Sequence, residues 1–132
     1  MIGVGNLATP DDYFSYLSKI LEQIEQNQPL SHIKKYELIK GDACETVGKY
    51  FDKNPETIIA LAYFDFDLYM PTKKVLELIK SRLFRGSVIG FDELNDPSCP
   101  GETLAVMETL GLRNLKLEKV PWYTKSCYCV IE

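Results

Sequence analysis

The stretch Thr57-Ile58-Ile59-Ala60-Leu61-Ala62-Tyr63-Phe64-Asp65-Phe66-Asp67 decides how this chain folds. Residues 57–64 are continuously apolar rather than alternating, the pattern of a strand buried on both faces of a parallel sheet. They run straight into two acids. A second run of this kind, Ser87-Val88-Ile89-Gly90-Phe91, ends in Asp92-Glu93. In an open α/β sheet, ligands collect outside the carboxyl ends of the strands. Four carboxylates gathered at two such ends repel one another unless a cation or a bound proton sits between them. The first expectation is therefore a divalent-metal or cationic-ligand site, ahead of a solvated loop.

The flanking sequence supplies the helices that a parallel sheet needs. Thr9-Pro10-Asp11-Asp12 is a helix start, with a capping hydroxyl, Pro in the first turn and acids behind it. Tyr13, Leu17, Ile20, Leu21 and Ile24 follow at helical spacing to about Gln26. After a loop over Asn27–Ser31, Tyr36–Lys40 reads as a short strand closed by Gly41-Asp42, and Cys44–Phe51 as a helix ended by Asn54-Pro55. Pro71-Thr72 opens a helix with Val75, Leu76, Ile79 and Leu83 on one stripe, and Arg85-Gly86 is the turn into the strand at 87–91. A polar loop, Leu94–Gly101, leads to a helix over Glu102–Leu110. Strands at Leu115–Val120 and Cys127–Ile131 are joined through Pro121–Lys125, a connection short enough for an antiparallel hairpin. This alternation predicts one α/β domain over residues 1–132, with a mostly parallel sheet and right-handed crossovers.

Composition narrows the function classes. The chain has 132 residues, is 45% hydrophobic and 26% charged, and carries a net charge of −4. Its 15 basic residues are scattered, which argues against a nucleic-acid partner. No apolar run reaches the ~18 residues of a membrane span, and the N-terminus lacks the pattern of a signal peptide. Cys44, Cys99, Cys127 and Cys129 show no metal-ribbon spacing; they read as reduced thiols, pointing to the cytoplasm. His32, the single histidine, has no partner at catalytic spacing. Tyr69, Trp122 and Tyr123 read as cover for the sheet, and Glu102 as an acid favouring the start of its helix.

Several motifs together resemble the class I S-adenosylmethionine-dependent methyltransferases, above all the macrocin O-methyltransferase (TylF-like) family. They are Gly41-Asp42-Ala43, Asp65-Phe66-Asp67-Leu68-Tyr69 with Pro71-Thr72, Gly86 to Glu93, Pro100-Gly101-Glu102-Thr103 and the final hairpin. The resemblance covers roughly residues 36–132. It implies a partial Rossmann-like methyltransferase fold, with S-adenosylmethionine and Mg2+ as cofactors and a sugar or natural-product hydroxyl as substrate. By the same resemblance, Asp42, Ala43 and Asp65 belong to the cofactor site, Asp65 is the catalytic residue, and Asp65, Asp92 and Glu93 hold the metal. Glu93 stands where the family often has a second Asp. Asp42 is open to a second reading as the cap of the following helix.

One part of the family pattern is absent from this sequence. The first βαβ unit, with its glycine-rich turn for the cofactor, has no counterpart: no strand precedes Gly3-Val4-Gly5 and no helix follows directly. The 57–64 strand would be central in the full fold. Here it would have an open edge, and the expectation is that the 36–40 strand or a second chain fills it, in a homo-oligomer or with a separate N-terminal half. Two rival functions stand beside methyl transfer. One is a non-catalytic binding or assembly remnant of a methyltransferase. The other is a haloacid-dehalogenase-like phosphohydrolase, whose Asp-x-Asp also follows an apolar strand; Tyr69 departs from that family's pattern.

Overall fold

A computed structural model describes residue 10 and residues 12–119, 121–122 and 125–132. The elements are α1 (Tyr13–Gln26), α2 (Ala43–Lys53), β1 (Ile59–Phe64), α3 (Tyr69–Ile79), β2 (Leu83–Phe91), α4 (Gly101–Thr109), β3 (Leu117–Lys119) and β4 (Cys127–Val130). They build one four-stranded sheet of order β1-β2-β4-β3. β1 and β2 are parallel, and β4 runs antiparallel to both β2 and β3. The expected mixed sheet with a C-terminal hairpin is present, as a partial Rossmann-like fold.

Local chemistry accounts for the helix starts. Asp42 caps α2 by accepting from the Cys44 backbone N–H at 2.8 Å. α3 begins at Tyr69, two residues before the expected Pro71. Thr72 Oγ1 donates to the Leu68 carbonyl at 2.7 Å, binding the first turn together. α4 begins at Gly101, where a side chain has no room: a Cβ would come within 2.6 Å of the Asp67 carbonyl oxygen. That close approach seats the N-terminus of α4 against the turn that follows β1.

The core lies on one face of the sheet. Phe64, Ile89, Phe91, Cys127 and Cys129 pack against Val75, Leu76 and Ile79 of α3 and Ala105 and Val106 of α4. The Phe64 and Phe91 rings stack with centroids 5.3 Å apart, within the favourable range for aromatic pairs. Cys127 and Cys129 share that face, two apart on β4, as their spacing implies, and all four thiols are free.

Three expectations change. Residues 36–40 form no strand, because an extended segment becomes a strand only by pairing its backbone groups. Among the described residues nothing pairs with them, and β1 stands at the sheet edge. Arg85-Gly86 does not precede β2 but bulges within it. Ile59 pairs with Leu83 and Leu61 with Val88, so β2 carries extra residues there, with Gly86 at φ 98°. Ser87 Oγ closes the bulge, accepting from Phe84 N–H at 2.9 Å and donating to the Ile59 carbonyl at 2.7 Å. Leu83 accordingly opens β2 rather than extending the α3 stripe. Thr9 and Val120, expected as a helix cap and a strand end, lie outside the described residues.

Candidate functional site

Register places the two acidic tips side by side. Phe64 pairs with Phe91, and the ladder continues as Asp92 N–H donates to the Phe64 carbonyl at 3.0 Å. Asp65 and Asp92 are therefore the next residues on neighbouring parallel strands, whose spacing is about 4.8 Å. Burial raises the Asp65 carboxyl above its ordinary value, and the negative charges of Asp92 and Asp67 raise it further.

Asp92 is held in place from one side. Its Oδ1 accepts from the Tyr63 hydroxyl and, at 2.9 Å, from Ser126 Oγ. Bonding to Asp92 is the main cause of a raised Tyr63 phenol pKa. Tyr63 reaches Asp92 because its register partner is Gly90: a Cβ there would come within 2.7 Å of the tyrosine ring. The apolar run ending at Phe64 thus supplies both a core residue and, one position earlier, a polar clamp on the opposite face.

Asp67 departs from the strand. It adopts φ 58°, and Leu68 N–H donates to the Phe66 carbonyl at 2.6 Å around it. A non-glycine residue in this region is uncommon and occurs at tight turns. The turn sends the chain into α3, and Asp67 lines a separate cavity of about 280 Å3 with Tyr69, Cys99 and Leu104. Tyr69 is half-buried against the core. Its hydroxyl donates to Glu108 at 2.6 Å and accepts from Lys73 at 2.9 Å.

Glu93 faces elsewhere. Lys125 Nζ lies 3.1 Å from Glu93 Oε2 and 2.8 Å from Asp96 Oδ2. The ammonium donates its hydrogen bond to Glu93 Oε1 at 3.3 Å, and Oε2 is buried without a hydrogen-bond partner. Burial raises the Glu93 carboxyl, against the lowering effect of Lys125. Lys125 holds Asp96 far below the usual carboxylate range, with Ser98 adding to the effect.

Glu102 is the residue that sequence reasoning undervalued. It is fully buried, and its two oxygens accept from Phe66 N–H at 3.3 Å and Glu93 N–H at 3.1 Å. One carboxylate therefore ties the turn after β1 to the turn after β2. Burial raises its pKa, and the backbone N–H donors oppose that rise. The only signal in the sequence is an acid directly behind Pro100-Gly101, where the backbone can approach closely.

The resemblance-derived residues divide into two groups. Asp65 and Asp92 come together, with Asp67 in electrostatic reach. Glu93 is paired with Lys125, and Asp42 is exposed with its Oδ1 engaged in the α2 cap. Among the described residues, no group of three or more His, Cys, Asp or Glu side chains is arranged to hold a metal ion. The donor set of adjacent Asp65 and Asp92 fits a cation held by two carboxylates, since magnesium retains several waters. Glu93 does not complete it. A groove of about 630 Å3 opens beside β1, with Gly41 and Ala43 on one wall and Leu61, Ala62 and Phe66 on the other. Its size suits a small-molecule site, but its lining is largely aliphatic.

No protein-family model and no curated protein matches the chain. Among solved structures, the apo form of CalS11, a TDP-rhamnose 3'-O-methyltransferase in calicheamicin biosynthesis, is 42% identical with a TM-score of 0.85. That match covers 96% of this chain and 55% of the other. A second CalS11 structure is 41% identical, with a TM-score of 0.90, and covers 98% and 52% respectively. The O-methyltransferase NovP shares the fold, at 16% identity and a TM-score of 0.66, over 99% of this chain and 55% of that one. The chain spans about half the length of each of these proteins. In sequence and fold the chain is similar to about half of a sugar O-methyltransferase, in line with the class I methyltransferase resemblance of its motifs.

Proposed function

We propose that this chain carries the acceptor half of an S-adenosylmethionine-dependent O-methyltransferase of the macrocin type, acting on a hydroxyl of a sugar or natural product. One observation carries the reading. Asp65 and Asp92 are register neighbours at parallel strand tips, in a chain 42% identical to a sugar O-methyltransferase. In this reading Asp65 is the general base, because a carboxylate with a raised pKa is a better proton acceptor. It would take the hydroxyl proton while the methyl–sulfur bond of the cofactor's sulfonium breaks, the methyl group passing to the oxygen and the sulfur leaving as a neutral thioether. Tyr63 and Ser126 fix Asp92 so that the acceptor oxygen meets a defined pair of carboxylates.

Asp42 and Ala43 would lie beside the adenine of the cofactor. Asp65 and Asp92 would hold magnesium, and Glu93 would join them only on release from Lys125. Bound magnesium would lower the pKa of the substrate hydroxyl. The reading treats residues 1–132 as one domain. Free thiols at all four cysteines fit a reducing cytoplasm, and no helix among the described residues is long and apolar enough to cross a membrane.

A second reading, a binding or assembly remnant without catalysis, is favoured by the lack of a glycine-rich turn among the described residues. Calorimetry with S-adenosylmethionine, with and without magnesium chloride, separates the two. Saturable cofactor binding, together with magnesium binding that Asp65→Asn abolishes, supports the transferase reading. If neither ligand produces heat, even with the complementary half of the fold present, the chain is a remnant.

A further inference from the structure

The first turn of α4 grips both acidic tips. Glu102 is wholly excluded from water, and its two oxygens accept from Phe66 N–H and Glu93 N–H. The two donors hold equivalent places: each belongs to the peptide unit directly behind an acid, Asp65 in one case and Asp92 in the other. On either side of Glu102, Gly101 packs against the Asp67 carbonyl, and Thr103 Oγ1 accepts from Asn95 N–H at 2.8 Å. Three successive residues therefore bind the segment after β1 and the segment after β2 to one helix. Ala105 and Val106, both fully buried, anchor that helix in the core. The sheet ladder itself gives out at this point. Among the described residues its last bond joins Asp92 N–H to the Phe64 carbonyl. Beyond it, one segment turns into α3 and the other enters the loop ahead of α4.

We propose that Glu102 is the positioning residue of the Asp65–Asp92 pair: by fixing the peptide unit behind each acid, it sets the separation and mutual orientation of the two carboxylates. The two acids depend on it to different degrees. Asp92 has its side chain held by Tyr63 and Ser126. Among the described residues no side chain bonds the Asp65 carboxylate, so its direction depends on the backbone that Glu102 holds. Like charges on two strand ends past the ladder repel and would swing apart without such a tie. A carboxylate suits the place, since it offers two acceptor oxygens on one planar group and no donor. Shut off from solvent, Glu102 does not reach a ligand, and its effect passes through the two aspartates. Contacts of this outer kind are worth about 10–100-fold in metal affinity. The purpose of the pair rests on the transferase reading; the geometry that Glu102 imposes does not.

The test uses the whole chain with manganese(II) as the probe, a divalent ion that takes the same oxygen ligands as magnesium and is counted by electron paramagnetic resonance. Residual dipolar couplings of the metal-free amides at 65–67 and 92–94 report the orientation of each tip. The wild-type chain is expected to bind manganese, and Asp65→Asn to lose it. Glu102→Gln keeps the volume but replaces one acceptor by a donor. It should weaken manganese about tenfold or more and shift the couplings of at least one tip. Glu102→Ala should shift both. Ile79→Ala truncates the core at the opposite end of α3. It should lower stability, yet hold the affinity within about twofold and leave both tips unchanged. The proposal is overturned if Glu102→Gln binds manganese as tightly as wild type, if its couplings match wild type at both tips, or if Ile79→Ala weakens the ion equally. A wild-type chain that binds no manganese refutes only the cation of the transferase reading. The couplings of Glu102→Gln then decide the positioning role by the same criterion.

Discussion

The two faces of the sheet differ in completeness. On the α3–α4 side, Phe64, Ile89, Phe91 and Cys129 are almost wholly excluded from water, and α4 brings Glu102 to bind the strand tips together. On the other side, Leu61, Tyr63, Tyr128 and Val130 are left largely open by the same strands. Both sets come from equally apolar sequence. Burial here is decided by which helices the chain contributes, and hydrophobicity alone does not decide it.

The largest expected effect lies on the closed face. Phe91→Ala removes a ring stacked on Phe64 and costs about 3–5 kcal/mol, read by urea denaturation. Comparable losses from Leu61→Ala would break the contrast. Next comes Glu102→Ala, which leaves the Phe66 and Glu93 N–H groups buried without an acceptor and costs about 1–3 kcal/mol.

The pH dependence of Glu102 sharpens the same point. Its carboxyl is raised from 4.5 by burial, so the folded state holds the proton more tightly than the unfolded chain. Its contribution is fully present below pH 4.5 and is lost as pH rises through the higher folded value. Glu102→Gln should flatten that fall in a denaturation series across pH 4 to 8; an unchanged slope would assign it to other groups.

Smaller effects follow toward the solvent. Lys125→Ala breaks a partly exposed ion-pair cluster and should cost less than about 1 kcal/mol. Leu61→Ala, on the open face, should stay within about 0.5 kcal/mol for the chain alone.

Much of the fold was legible because it rests on local patterns. The apolar runs at 57–64 and 87–91, the amphipathic stripe of Val75, Leu76 and Ile79, and the short hairpin connection are read within a few residues. The failure at 36–40 has a physical cause: Tyr36–Lys40 has the composition of a strand, but pairing is a property of two segments. The bulge at Arg85-Gly86 was similarly read as a turn, since glycine marks the backbone change without saying whether the strand resumes.

At the candidate site, residue types announced the acids but not their partners. The sequence by itself determined that Asp65 and Asp92 end parallel strands, because strand type and strand ends are encoded in contiguous residues. Only the tertiary structure decided which acid each tip would use. Register brought Asp65 beside Asp92, Gly90 made room for Tyr63 to hold Asp92, Lys125 drew Glu93 away, and Glu102 crossed from α4 to join the two turns. Those contacts link positions as far as 36 residues apart, as between Phe66 and Glu102. Sequence periodicity carries no information about such distances, and only the packed sheet fixes them.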